Sequence, residues 1–173
     1  EIIKTDFNKL ENHKKSIIGE DCFFCIGTTR KNTPDKNEYI ITEYNIPVEI
    51  GKIAKSNSVK NFIYVSSLGA NPNASGLYLK NKGQAEQELI NLNFPRLAII
   101  RPSILLGNRK ENRIGEKIGI FVMKLLSPLF LGKLKKYKPI KVENVAKAMA
   151  NIAQNDYQKT IFESDQLVKI AKF

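Results

Sequence analysis

Nowhere in its 173 residues does the chain run 18 apolar residues together, which excludes an ordinary membrane span. The front shows no signal-peptide pattern. Two cysteines give no disulfide framework, which suits a reducing, cytoplasmic setting. They spell Cys22-x-x-Cys25, but residues three apart on a strand point to opposite faces, so a redox or metal pair is not expected. The single histidine, His13, stands in the polar run Asn12-His13-Lys14-Lys15 and reads as part of a solvated helix face. No metal site can be assembled around it. Acidic residues are scarce from 101 to 141, where eleven Lys/Arg meet only Glu111 and Glu116, a local net charge of +9 out of +11 for the whole chain.

What is present begins with a hydrophobic content of 42%, enough in a chain of this length for one domain with a sizeable core. The stretch Asn61 to Gly83 organises the rest. Phe62-Ile63-Tyr64-Val65 reads as a fully buried strand, closed by Ser66 and Ser67. Gly69, Asn71, Pro72, Asn73 and Gly76 make a loop. Tyr78 then opens a helix, with Leu89-Ile90 burying its inner face. Positions i and i+4 share one helix face, so Tyr78 and Lys82 point into one space beside the strand end. An ammonium there favours phenolate over phenol and makes the tyrosine a usable acid/base near neutral pH. Serine, tyrosine and lysine so placed can protonate a carbonyl oxygen. A second Tyr-x-x-x-Lys, Tyr137 to Lys141, contains Pro139, which argues against a helix interior there.

Taken in order, Glu1 to Phe7 looks like a short strand, Asn8 to Ser16 a weak polar helix, and Asp21 to Gly27 a buried strand. Thr28-Thr29-Arg30 follow that strand's end, where doubly wound sheets bind ligands. A polar loop at 31–38 leads to a helix from about Tyr39 to Ala54, kinked near Pro47. A strand over Arg96–Arg101 is stopped by Pro102. Val142 to Asn155 is an amphipathic helix. Lys159 to Phe162 is a last short strand, and Ser164 or Asp165 can cap a closing helix over Gln166–Lys172. Strand and helix alternate, which predicts an α/β fold with a parallel sheet and right-handed crossovers.

Five blocks carry a family likeness: Cys25 to Arg30, Val65 to Ala70, Tyr78 to Gly83, Arg101-Pro102-Ser103, and Asn108 to Glu116. In their order and spacing the chain resembles the short-chain dehydrogenase/reductase superfamily. The closer likeness is to its atypical branch that includes the Tat-interacting-protein oxidoreductase and small bacterial relatives. The resemblance implies a Rossmann fold and an NADP or NAD cofactor. Tyr78 would be the catalytic acid/base and Lys82 its partner and a ribose ligand. Ser66 or Ser67 would orient the carbonyl of a small-molecule carbonyl or alcohol substrate. Gly27, Thr28 and Thr29 would lie along the cofactor, Pro102, Ser103 and Ile104 would border the nicotinamide, and Asp6 would lie near the adenine. A rival reading in the same fold is a non-catalytic protein that senses NAD(P) and regulates a partner.

Against the family pattern, no Gly-x-Gly-x-x-Gly or Gly-x-x-Gly-x-x-Gly stands in the sequence. That turn and the helix after it normally hold the pyrophosphate. The expectation is therefore an incomplete domain over 1–173, lacking its first two strands and the glycine-rich loop, on the order of 60 residues. The runner-up is a divergent domain that never had the loop. On the first reading the chain as it stands is inactive, and its apolar Cys22 strand is an open edge that invites aggregation or a homodimer.

The basic third also holds Ile118 to Leu131, fourteen residues interrupted by Lys124 and Pro128. Three readings stay open for 115–141. The stretch can pack on the substrate side with a solvated lysine rim. It can lie against an anionic membrane surface. Nucleic acid is the third, against which stand the lack of a binding motif and of stacking aromatics beyond Tyr137. Arg109 and Arg113 could meet an anionic substrate or the cofactor's phosphate, or pair with Glu111 or Glu116.

Overall fold

Phe62 and Tyr64 leave their strand on one side and Ile63 on the other, and all three are buried. A strand with both faces covered belongs in the middle of a layered sheet, and that is where it lies. The structure, a computed structural model, describes residues 2–107 and 132–173. Strands β1 (Asp21–Phe24), β2 (Asn61–Val65), β3 (Arg96–Arg101) and β6 (Ile161–Glu163) form one sheet in the order β1-β2-β3-β6, every pair parallel. The register sets Phe62 beside Cys22 and Leu97, and Tyr64 beside Phe24 and Ile99. Two short strands, β4 (Leu105–Leu106) and β5 (Ile140–Lys141), pair separately.

Helices cover both faces, as a parallel sheet requires. On one side, helices α2 (Ile46–Ser56), which follows the short α1 (Lys36–Ile40), and α3 (Leu77–Asn91) enclose Phe24, Phe62, Tyr64 and Ile99 with Ile46, Val48, Ala85 and Leu89. On the other, α4 (Val142–Gln154) and α5 (Ser164–Ile170) cover Ile63, Ala98, Ile100 and Phe162 with Val145, Met149, Ile152 and Leu167. The expected α/β doubly wound architecture is present.

A π-turn over Ile41–Asn45 joins α1 to α2. Pro47 has no N–H to offer the carbonyl of Glu43 one turn back. The neighbouring Ile46 N–H reaches the Ile41 carbonyl instead, five residues back. The kink expected near Pro47 is this widened turn. Gly83 serves a different need: a Cβ there would collide with the backbone of Asn71 and Pro72, so only glycine lets the loop before α3 lie against it.

Four expectations need correction. Residues 2–6 form no strand, and Phe7–Ser16 is a 3₁₀ helix. Among the described residues β1 is the sheet's edge, so nothing pairs the front segment, and an unpaired strand has no hydrogen-bonding reason to form. Asp6 lies in this unpaired segment and is exposed. Ile90 is 44% exposed, because only Leu89 of that pair faces β2. The closing helix starts earlier and is capped by Glu163, whose carboxylate and the Gln166 side chain exchange hydrogen bonds with the first-turn backbone. The expectations for Arg109, Arg113 and Ile118–Leu131 lie outside the described residues. None of the described helices is long and apolar enough to cross a membrane.

Candidate functional site

Beyond the C-terminal ends of β1, β2 and β3 the sheet opens into a cleft of about 770 Å³. Crevices at this end of an open parallel sheet are where such folds bind ligands. Cys25 to Arg30 line it after β1, Ser66 and Ser67 after β2, and Pro102 to Leu105 after β3. Tyr78 and Lys82 reach it from the first two turns of α3, and Tyr39 and Glu43 from the α1–α2 helix. Of the residues that the sequence singled out, Ser66, Ser67, Tyr78, Lys82, Gly27, Thr28, Thr29, Pro102, Ser103 and Ile104 come together here. Asp6 does not. It stays exposed in the front segment, where its carbonyl accepts the Lys9 N–H.

The two serines differ. The Ser66 N–H continues the β2–β3 ladder to the Ile100 carbonyl at 2.8 Å, which turns the side chain inward to 3% exposure. Its hydroxyl donates to Glu86 Oε1, and Glu86 is gripped from the other side by Arg101 through Nε at 2.9 Å and through Nη2. This carboxylate hydrogen bond raises the guanidinium's already high pKa further. Ser66 is thereby locked into a link between α3 and β3. The described contact of the Ser67 hydroxyl is a 3.5 Å approach to the Leu68 carbonyl, too long to hold it. Of the two, Ser67 is the hydroxyl that the geometry leaves to the cleft.

Lys82 is 3% exposed. Its ammonium lies 3.0 Å from Glu43 Oε2 and 3.3 Å from the Val65 carbonyl, and 5.0 Å from the centre of the Tyr64 ring. The approach to Glu43 is not aligned as a hydrogen bond, so charge holds that pair. Glu43 Oε1 accepts the Thr28 N–H at 2.5 Å, and a Cβ on Gly27 would lie 3.2 Å from the same oxygen. Tyr78 is 40% exposed. Its phenol lies near those of Tyr39 and Tyr64. Burial pushes Tyr39 up to about 12, helped by Glu43 and Tyr78, and it pushes Tyr64 up as well, helped by Glu43, Glu86 and Tyr78. At the mouth the Arg30 guanidinium sits 5.3 Å over the Tyr39 ring.

With Tyr39, Glu43 is a site residue that sequence reading missed. It sits within an apolar helix pattern, and nothing in its own neighbours marks it as buried. The available signals were Pro47, which disturbs the turn around it, and the Tyr39–Glu43 spacing, which puts both on one face. Ser103 lines the cleft, yet its hydroxyl bonds the Lys138 carbonyl and the Ser164 hydroxyl, the latter at 2.9 Å. It fastens the end of β3 to the start of α5.

The residues present fit the nicotinamide–ribose end of a dinucleotide. Gly27 keeps the strand end free of a side chain, Ser67 and Tyr78 offer hydroxyls, and the half-exposed Ile104 offers an apolar wall. No glycine-rich strand–turn–helix for the diphosphate is present among the described residues.

No family model matches the chain. Curated relatives do. The mitochondrial protein FMP52-1 of Scheffersomyces stipitis is 36% identical over 160 residues, covering 87% of this chain and 69% of that protein. Protein HTATIP2 of Rattus norvegicus is 36% identical over 112 residues, 64% of this chain and 46% of that protein. Among solved structures, a UDP-N-acetylglucosamine 4-epimerase from Methanobrevibacter ruminantium superposes with a TM-score of 0.66 at 18% identity, over 92% of this chain and 59% of that one. A UDP-glucuronic acid 4-epimerase from Bacillus cereus, solved with NAD, gives 0.63 at 12% identity over 94% and 59%. These likenesses establish the Rossmann-type fold. The expected cytoplasmic location does not stand, because the FMP52 relatives from three yeasts are named as mitochondrial proteins.

Proposed function

The chain belongs to the family of the FMP52 proteins, and from that premise we propose that it forms the nicotinamide-facing body of an NAD(P)-dependent oxidoreductase that reduces a carbonyl or oxidises an alcohol. One observation carries the reading: Ser67, Tyr78 and Lys82 converge in one cleft at the C-terminal end of a parallel sheet. In the reducing direction the Tyr78 hydroxyl gives its proton to the carbonyl oxygen, and the Ser67 hydroxyl donates a hydrogen bond to that same oxygen. Lys82, held by the Val65 carbonyl and Glu43, supplies the positive charge at the base of the cleft. The dinucleotide's chemistry is hydride delivery to the carbonyl carbon, so that carbon is reduced as the nicotinamide is oxidised. Gly27, Thr28 and Thr29 would flank its ribose side and Pro102 and Ile104 its ring.

The test is turnover with NADPH or NADH and a panel of aldehydes and ketones in the full-length protein. Tyr78→Phe is expected to lower turnover by roughly 10²–10⁴-fold while cofactor affinity stays nearly constant. Equal turnover in the two proteins overturns the assignment. Saturable cofactor binding with no turnover of any carbonyl would instead favour the NAD(P)-sensing role. The names of the FMP52 relatives support a mitochondrial site of action, and cell fractionation that finds the protein only in the cytosol overturns that.

A further inference from the structure

Three of the described residues that line the cleft carry charge: Arg30, Glu43 and Lys82. Glu43 and Lys82 lie 3.0 Å apart and are both buried, so they form a pair within the wall. Arg30 is exposed at the mouth, and among the described residues it has neither a carboxylate partner nor a hydrogen-bond acceptor. Its described contact is the Tyr39 ring, whose centre lies 5.3 Å from the guanidinium carbon and which is 2% exposed. We infer that Arg30 is a specificity-determining residue of the cleft, whose guanidinium receives a carboxylate or phosphate carried by the carbonyl substrate. That substrate class presupposes the oxidoreductase reading of the cleft.

The arginine is held in place for such a task. Its backbone stands in a turn closed by the Asn32 and Thr33 N–H groups on the Thr29 carbonyl, at 2.9 and 2.8 Å. The Thr28 and Thr33 hydroxyls, 2.7 Å apart, tie the two ends of that turn together. An aromatic ring attracts the cation without using its N–H donors, so the planar fork that matches a carboxylate or phosphate remains for a ligand. Tyr39 does not supply the counter-charge itself. Burial lifts its phenol to about 12, with Arg30 opposing the rise, so the ring is neutral at neutral pH. Of the acids that follow in the chain, Asp35 accepts the Asn37 and Glu38 N–H groups, and Glu38 is exposed to water. Glu43 is taken by Thr28 and Lys82. Tyr78 lies close enough to the Tyr39 phenol to raise it further. Tyr39 is thus a neighbour of both the cation and the phenol that meets the carbonyl oxygen, which favours an anion on the substrate over the dinucleotide's diphosphate.

The experiment compares the binding of matched aldehydes to the full-length protein, with NADP⁺ present so that the carbonyl is not reduced. The pairs are succinic semialdehyde against butanal and para-carboxybenzaldehyde against benzaldehyde, followed by ligand-observed NMR. Wild type is expected to bind the charged member of at least one pair roughly 10–100-fold more tightly, as a charge-assisted hydrogen-bonded contact gives. That preference is expected to shrink as salt rises. Arg30→Gln is expected to cut it by roughly tenfold or more, and Arg30→Lys, which keeps the charge without the fork, to retain part of it. No preference in either pair overturns the proposal, and that arm needs only the wild-type protein. A preference that survives in Arg30→Gln overturns it as well. If Arg30→Gln weakens NADPH binding and leaves the preference intact, the cation serves the dinucleotide's diphosphate, and the substrate assignment falls. Binding needs no turnover. A preference lost in Arg30→Gln, in a protein that turns over none of these aldehydes, therefore supports the anion site and sinks the oxidoreductase reading alone.

Discussion

The parallel sheet opens into a cavity at each end, and the two ends handle charge differently. At the N-terminal ends of the strands lies a cavity of about 410 Å³, with Arg96 at its wall. Its guanidinium donates to the carbonyls of Ile152 at 3.0 Å, Ala153 at 3.3 Å and Asn155, all at the C-terminal end of α4. Those carbonyls have no partner within their own helix, and the cation offsets the negative end of the helix dipole. Charge at this end holds the fold together. At the C-terminal end, Glu43–Lys82 and Glu86–Arg101 are buried beside a cleft almost twice as large. Buried there without a hydrogen-bond partner among the described residues are the Tyr64 hydroxyl and the Asn81 amide nitrogen. A buried pair must first lose its hydration, and an apolar replacement of equal volume is often as stable. Pairs of that sort at the ligand end point to a use beyond stability.

The largest effect that would break the comparison is expected at Lys82. Lys82→Met strands the Glu43 carboxylate at 1% exposure and should destabilise the protein by about 3–5 kcal/mol in urea unfolding. Adding Glu43→Gln should recover most of that, since neither charge then remains unpaired. A loss under about 1 kcal/mol in the single variant would show that water already reaches the pair. Arg96→Ala, at the opposite end, should cost less, about 1–2 kcal/mol, as the last carbonyls of α4 lose their donor. It should leave cofactor affinity and the ionisation of Tyr78 unchanged. A shift in either would mean that the two ends are coupled through β3.

How much of this was legible in the sequence follows from the range of each interaction. β2 and β3 were readable because each is a continuous apolar run between punctuating residues, Ser66 and Pro102. The Tyr78–Lys82 face was readable because helical spacing fixes it locally. Residues 2–6 were misread because a strand exists only through its neighbour, and composition does not reveal whether a neighbour is there. The choice between Ser66 and Ser67 hung on Glu86 and Arg101, which are 20 and 35 positions away from Ser66 in the chain. Glu43 was hidden for the same reason, since its partners Thr28 and Lys82 come from two other elements. The pairing of lysine with tyrosine was inferred from spacing alone, and spacing carries no information about a carboxylate arriving from a different helix.

The smallest effect concerns the Tyr64 hydroxyl, which sharpens the contrast between the ends. Tyr64 is 0% exposed and its hydroxyl has no hydrogen-bond partner among the described residues, while its ring stays against the Lys82 ammonium. An unsatisfied buried hydroxyl is a net cost, so Tyr64→Phe should be neutral or stabilising by up to about 1 kcal/mol and should keep the cation–π contact. The variant should also change the response to alkali. Burial raises Tyr64, and it raises Tyr39 to about 12, both from an ordinary 10.0. Between those values the folded protein binds more protons than the unfolded chain, so stability is complete below pH 10 and is lost as pH rises above it. Removing the Tyr64 phenol deletes one of the two contributions, and unfolding midpoints above pH 10 should fall less steeply than in wild type. A variant destabilised by more than about 1 kcal/mol would show that the hydroxyl holds a bound water linking it to the Glu43–Lys82 pair, making it a working part of the cleft.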